Sequence, residues 1–394
     1  MGMWRAVLVV VVLFVADRSA LGDPGAASPD APAAPAPVAA DALVMIKLGG
    51  YLEIYDQWNF RRPSNGVTNL RNFDVRDSSI TLQNAVIDTT WTRGVLRGRI
   101  ALQIGDAADT YYGAEPALPA AGSAPASGPS EWRHLQEAWA SWQTPCQLEL
   151  SAGLFLSPIG PESVATRDQW NWSRSNVYFA LPFYHSGVRI KRSLGDSGWT
   201  GTAAVYNGWN SLVDNNRTPS ISFAAGYAKD SWVAQVLYFG GIERRPGAPE
   251  GSPWRHLVDA YVQGALGGGL SFLLHGDGGI EQGTLGRGSW LAGAAYLRYD
   301  VTKAVDVAAR ADVVREWRPD AATSMLLPVA WISSGTATAS WRPIDTLDLR
   351  VEYRHDQAAS DAYFGGTVST DVIGAAIPNR QAQDTMTVGA IAWF

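Results

Sequence analysis

From Ile46 to the end of the chain, apolar and polar side chains alternate with a period of two, and the period of about 3.6 expected of helices is hard to find. In GVLRGRIALQIG (94–105), Leu96, Gly98, Ile100, Leu102 and Ile104 share one face, opposite Arg97, Arg99, Ala101 and Gln103. In QLELSAGLFL, Leu148, Leu150, Ala152, Leu154 and Leu156 oppose Gln147, Glu149 and Ser151. VDVAARADVV sets Val305, Val307, Ala309, Ala311 and Val313 against Asp306, Arg310 and Asp312. LDLRVEYR sets Leu347, Leu349, Val351 and Tyr353 against Asp348, Arg350, Glu352 and Arg354. Each reads as a half-apolar strand of roughly ten residues, the length that crosses a bilayer at a tilt. The face assignment breaks down at 82–86, 134–142 and 232–239.

The connections alternate between tight and long. Tight turns are expected near Trp91, Thr144, Leu194, Ala228, Leu266, Tyr299 and Trp341. Long segments are expected at 61–75, 106–132, 157–184, 207–219, 241–255, 277–289, 316–328 and 355–384. Seven tight turns and eight long loops imply about sixteen strands, with both chain ends on the tight-turn side. The last stretch, TMTVGAIAWF, keeps the pattern to the final residue: Met386, Val388, Ala390, Ala392 and Phe394 form an apolar face. Ile391 and Trp393 then point the other way, which the alternation leaves unexplained.

A soluble β-sandwich also alternates, but it buries most of its aromatic residues. Here Trp58, Phe60, Trp91, Trp199, Trp209, Trp254, Trp290, Tyr299, Trp331 and Trp341 fall at strand ends, the pattern of interfacial girdles. Only a closed barrel leaves no unpaired strand edge in a medium without water. The expected fold is therefore all-β: a transmembrane, antiparallel, up-and-down β-barrel with short periplasmic turns and long extracellular loops, in the bacterial outer membrane.

Composition agrees. Charged residues make up 17% of the 394, below the roughly 25% of soluble domains, while hydrophobic residues reach 46%. A net charge of −6 argues against nucleic acid as a partner. The lone Cys146 precludes an internal disulfide, and with five scattered His no metal centre or cofactor is expected. Residues 1–22 read as a secretory signal: Arg5 precedes the apolar run Ala6–Ala16, and Ala20 and Gly22 are small residues placed for cleavage. Residues 23–45 are an Ala/Pro-rich disordered linker, and 46–394 the barrel. A second Ala/Pro stretch, 113–130, reads as a tolerated loop insertion.

LRNFDVRDSSITLQNAVID, EWRHLQEAWASW, GLFLSPIGPES and WNWSRSNVYFALPFYHSGVRI resemble the β-barrel porins of the OmpL-like type and, more loosely, the phosphate-selective porins O and P. The loops lack the Lys run that phosphate-selective members use. The resemblance implies a passive channel, and it implies that the long loop 157–184 folds inward, putting Glu162, Arg167, Asp168 and Arg174 at a constriction. The residues of the loop agree, since Trp170, Trp172, Tyr178 and Phe179 make it too apolar to hang in water. It also implies that the terminal aromatic Phe394 is read by the β-barrel assembly machinery.

If the apolar faces meet outer-membrane lipid, the opposite faces line a lumen. By parity Lys47, Glu53, Arg97, Arg99, Glu149, Arg189, Lys191, Asp259, Asp306, Arg310, Asp312, Asp348, Arg350, Glu352 and Arg354 point inward. A barrel of about sixteen strands is too wide for side chains to fill, so such a lumen stays wet and passes small hydrophilic solutes. The mixed charges at 305–313 and 347–354 equally fit pairing between neighbouring strands. Arg97/Arg99 and Arg189/Lys191 instead repeat one sign on one face, which suggests a basic ladder that steers anions. The apolar outer wall could also support a homotrimer. The alternatives are a barrel enzyme or a structural protein without an open pore. Against an enzyme, Ser271 and His275 lie about 13 Å apart on an extended strand, and no catalytic motif occurs.

Overall fold

The computed structural model describes residues 43–113, 115 and 130–394. The signal and nearly all of the linker lie outside them, as does most of the Ala/Pro stretch after Gly113. Sixteen antiparallel strands follow one another around a closed ring. The first eight are β1 Met45–Asn59, β2 Thr81–Arg93, β3 Leu96–Ile104, β4 Leu135–Gln143, β5 Leu148–Leu156, β6 Tyr184–Ser193, β7 Trp199–Tyr206 and β8 Ser220–Lys229. The second eight are β9 Trp232–Ile242, β10 Trp254–Gly267, β11 Leu270–Gly283, β12 Gly286–Asp300, β13 Val305–Trp317, β14 Trp331–Ile344, β15 Leu347–Ala358 and β16 Ala382–Trp393. Two short helices, α1 Asp106–Gly113 and α2 Asn176–Phe179, lie in the second and third long loops.

The outward faces are apolar and exposed, as in Leu96, Ile100, Leu102 and Ile104 of β3 and Val307 and Val313 of β13. Such a wall is stable only against hydrocarbon, and no helix among the described residues could cross a bilayer instead. β1 pairs with β16 from Tyr51↔Trp393 to Asn59↔Thr385, so the ring closes without an edge. Phe394 completes the seam: its N–H donates to Gly50 O (3.2 Å) and its carbonyl accepts from Gly50 N (3.3 Å).

All seven tight turns fall where the sequence places them, but one long loop does not exist. Over 277–289, β11 and β12 run on as a ladder to Gly283↔Gly286, so the connection is a hairpin turn. The run GDGGIEQGTLGRG reads as loop because it is rich in Gly, although its backbone pairs throughout. Two of the three stretches with unreadable parity hold β-bulges. Gln83 is the extra residue opposite Glu53/Ile54, and Gln136 the extra residue opposite Ala101/Leu102. A bulge shifts the alternation by one and flips every later side chain. The third stretch, in β9, has no bulge; its inward Leu237 and Phe239 are buried in an internal apolar cluster, so both faces read as hydrophobic. The same cluster corrects two girdle assignments: Trp290 is buried facing inward, and Trp209 packs against it.

Candidate functional site

The interior is organised by the third long loop, residues 157–183, which leaves β5 and returns to β6. Its wall partners extend to the far side of the ring, since β13 is eight places from β5 among sixteen strands. The backbone of the loop is held there by inward charges. Glu352 accepts from Trp172 N (2.5 Å) and Ser173 N (3.0 Å), and Asp312 from Asn176 N (3.1 Å) and its side-chain amide (2.8 Å). Glu53 accepts from Thr166 N (2.5 Å) and from the bulge residue Gln83 (2.7 Å). The loop carbonyls are met by guanidinium groups. Arg310 donates to Ser173 O (2.5 Å), Arg350 to Thr166 O (3.1 Å) and Asn171 O (3.2 Å), and Arg354 to Arg174 O (2.5 Å).

A loop inside a barrel cannot satisfy its peptide groups with its own ladder, so the wall must supply partners. Alternating Arg and Asp/Glu suits the task, because each of these arginines also has a counter-ion on its own strand: Arg310–Asp312 (3.1 Å), Arg350–Asp348 (2.8 Å) and Arg354–Asp356 (2.7 Å). Glu53, Arg310, Asp312, Arg350, Glu352 and Arg354, read from parity as lining the pore, do point inward, but they are buried under the loop. The charges from 310 to 312 and from 348 to 356 therefore pair within strands and with the loop, while Asp306 pairs with Arg298 (3.4 Å) and Arg342 (2.6 Å) on the neighbouring strands, as the sequence also allowed.

Trp172 is fully buried and rests on β16, where a Cβ on Gly389 would overlap its ring. Tyr55 and Ile391 complete that pocket, with Trp393 packed against it. Here is the reason Ile391 and Trp393 point inward: they seat the loop. On the loop itself, Glu162 accepts from Ser175 N (3.0 Å) and its hydroxyl, and Arg174 donates to the carbonyls of Ser163, Val164 and Trp172, so both are internal braces. Arg167 and Asp168 face the lumen, paired at 3.6 Å, with the Arg167 guanidinium 5.2 Å from the centre of the Tyr51 ring. Asp168 is reached by solvent but enclosed by protein. Loss of hydration raises its carboxyl pKa, while Arg167, Arg99, Arg174 and Arg350 pull it down.

The inward residues that keep solvent contact near the turn end lie mostly on β1 and β3–β6: Lys47, Arg97, Arg99, Trp139, Glu149, Arg189 and Lys191. Arg97 pairs with Glu149 at 2.5 Å, and Arg99 with both Asp88 (2.7 Å) and Glu137 (2.6 Å). These two arginines are therefore partly neutralised. Arg189 lies 4.3 Å from the centre of the Phe155 ring and 5.9 Å from that of Trp139.

The structure also gathers groups that the sequence left scattered. Asp259 and Asp277 are direct partners across β10 and β11, and His275 Nε2 lies 2.6 Å from Asp259 Oδ2. The three could hold a metal ion, although no metal site was expected. Asp259 also accepts from Gly160 N at the root of the loop (3.0 Å). Their placement on adjacent strands was readable only once the register was known. Ser271 is not part of this group. A different pair, Ser157 Oγ and His185 Nε2, lies at 3.2 Å, buried, and the other ring nitrogen faces the Gly208 carbonyl (3.1 Å) instead of a carboxylate.

A closed sixteen-strand ring with an apolar exterior and a loop docked across its interior defines a β-barrel of the outer-membrane porin class. Residues 45–394 match the family described as "Putative beta-barrel porin-2, OmpL-like", and the chain belongs to it. No curated protein compared with it matches in sequence. Among solved structures, the chain is similar to the anion-selective porin from Comamonas acidovorans (11% identity, covering 89% of this chain and 100% of that one, TM-score 0.57). It is also similar to OmpT of Vibrio cholerae (9%, 91% and 100%, 0.54) and to the outer membrane channel DcaP of Acinetobacter baumannii (9%, 89% and 97%, 0.55). At such identities the likeness concerns the fold.

Proposed function

We propose that this porin of the bacterial outer membrane conducts small hydrophilic solutes passively and prefers anions. The observation that carries the preference is the make-up of the solvent-open wall, where Lys47, Arg97, Arg99, Arg189 and Lys191 outnumber the carboxylates beside them, Asp88, Glu137 and Glu149. A fixed excess of positive charge along a wet conduit raises the local anion concentration. That one protein of similar fold is described as anion-selective supports the same reading. The Arg167/Asp168 pair of the loop faces this wall and would form the narrow part of the path.

The chain acts as a channel and not as an enzyme. In support, the imidazole of the buried Ser157–His185 pair is turned by the Gly208 carbonyl on its other nitrogen, and the charges on β13 and β15 are engaged in holding the loop. A homotrimer is the proposed assembly, since OmpT of Vibrio cholerae has a trimer form of similar fold. Recognition of Phe394 by the assembly machinery is proposed from its exposed position at the β1–β16 seam. The test is a planar bilayer under a salt gradient: channel steps with a reversal potential of anion sign are expected. Folded, heat-modifiable protein that gives no steps would sink the channel reading, and a cation-signed potential would sink the preference.

A further inference from the structure

Every other inward-facing arginine of the barrel has a carboxylate within ion-pair distance: Arg97, Arg99, Arg255, Arg298, Arg310, Arg342, Arg350 and Arg354. Arg189 is the exception among the described residues. The carboxylate within its electrostatic reach, Glu137, is held by Arg99 (2.6 Å) and by Trp139 Nε1 (3.1 Å). Arg189 Nε is buried without a hydrogen-bond partner, and so is the hydroxyl of Tyr206, which also lies within reach of the Arg189 charge. The strand register explains the posture of the side chain. Between the pairs Ser151↔Arg189 and Phe155↔His185 stands Gly153↔Gly187, and neither residue of that pair has a side chain. Nothing on the inner face separates Arg189 from Phe155, and the guanidinium lies over the ring. Phe155 and Trp139 are themselves stacked, 6.3 Å apart at 28°.

A guanidinium seated over an aromatic ring without an ion-pair partner keeps N–H donors available, and its fork can take a carboxylate on two of them. The floor beside it is apolar and planar. We infer that Arg189, with Tyr206, Phe155 and Trp139, forms a binding site in the conduit for a carboxylate carried on an aromatic ring. The carboxylate meets Arg189 and the Tyr206 hydroxyl while the ring lies along Trp139. The site rests on the channel reading and names the substrate class it favours. Inorganic phosphate fits less well, because it has no apolar body to place on the floor and finds fewer donors here than its oxygens can use.

The test is calorimetric titration of detergent-folded protein with benzoate, acetate and inorganic phosphate, alongside bilayer recordings. Benzoate should bind about tenfold tighter than acetate or phosphate. Arg189→Gln should lower benzoate affinity about tenfold and Arg189→Lys by less, because a point charge keeps attraction but loses the fork. Phe155→Leu should narrow the gap between benzoate and acetate, with the heat-modifiable gel shift showing that each variant is folded. Equal binding of benzoate and acetate, or unchanged benzoate binding by Arg189→Gln, overturns the site even if the channel conducts. Loss of conductance in the wild type with benzoate binding intact would instead overturn the channel reading alone.

Discussion

Glu352 points inward between two arginines, and on alternation alone it passes for an ordinary lumen charge. Its carboxylate is 1% exposed and accepts two loop N–H groups and the Thr338 hydroxyl (2.7 Å). Replacing it by Gln keeps the shape but turns an amide N–H2 towards donors and removes a negative charge that acts on Arg354. Glu352→Gln should lower the stability of detergent-folded protein by about 2–4 kcal/mol, read from the denaturant midpoint, and should add flicker to single-channel records. An unshifted midpoint would mean that the loop does not lean on this carboxylate. Arg97 belongs to the same scale with the opposite outcome, since it stays exposed and pairs with Glu149 alone at the turn end. Arg97→Glu should move the reversal potential towards cations, and the double change with Arg99→Glu should move it further. A potential that stays put would show that these side chains are not in the conduction path.

The decisive element is the loop 157–183. Its apolar residues Trp172, Val177, Ala180 and Leu181 are buried. Gly389 admits the Trp172 ring, so Gly389→Val should expel it, while Trp172→Ala should leave a cavity and cost about 3–5 kcal/mol. Both variants should conduct more than wild type in planar bilayers, because the loop is released from β16. Equal conductance would place the loop's grip elsewhere. The elements also show what can be read from sequence and what cannot. The strands of β3, β5, β13 and β15 were legible because one face meets lipid and the other polar groups, which keeps the alternation clean. The β2 and β4 stretches were not, because Gln83 and Gln136 each insert one residue and nothing local marks a bulge. In β9 the inward face is covered by protein, and burial erases the contrast on which the alternation depends.

At the scale of the whole molecule, closure rests on the last strand. Phe394 is 71% exposed at the end of β16, yet its backbone pairs with Gly50 on β1. Deletion of Phe394 should lower the amount of heat-modifiable protein in the outer membrane several-fold and leave the conductance of whatever assembles near wild type. Normal membrane levels would remove the residue from any role in assembly. The barrel and its polarity were determined by the sequence itself: strand period, turn chemistry and the apolar terminus are local properties, set by the pleat and by residues a few positions apart. The interior was decided by tertiary structure alone. Trp172 meets Glu352 across 180 residues of chain, and Arg350 meets Thr166 across 184. No spacing in the sequence encodes such a contact, because it exists only after sixteen strands have closed and brought opposite walls within reach of one loop. Whether an inward charge anchors that loop or faces water follows from which wall the loop covers.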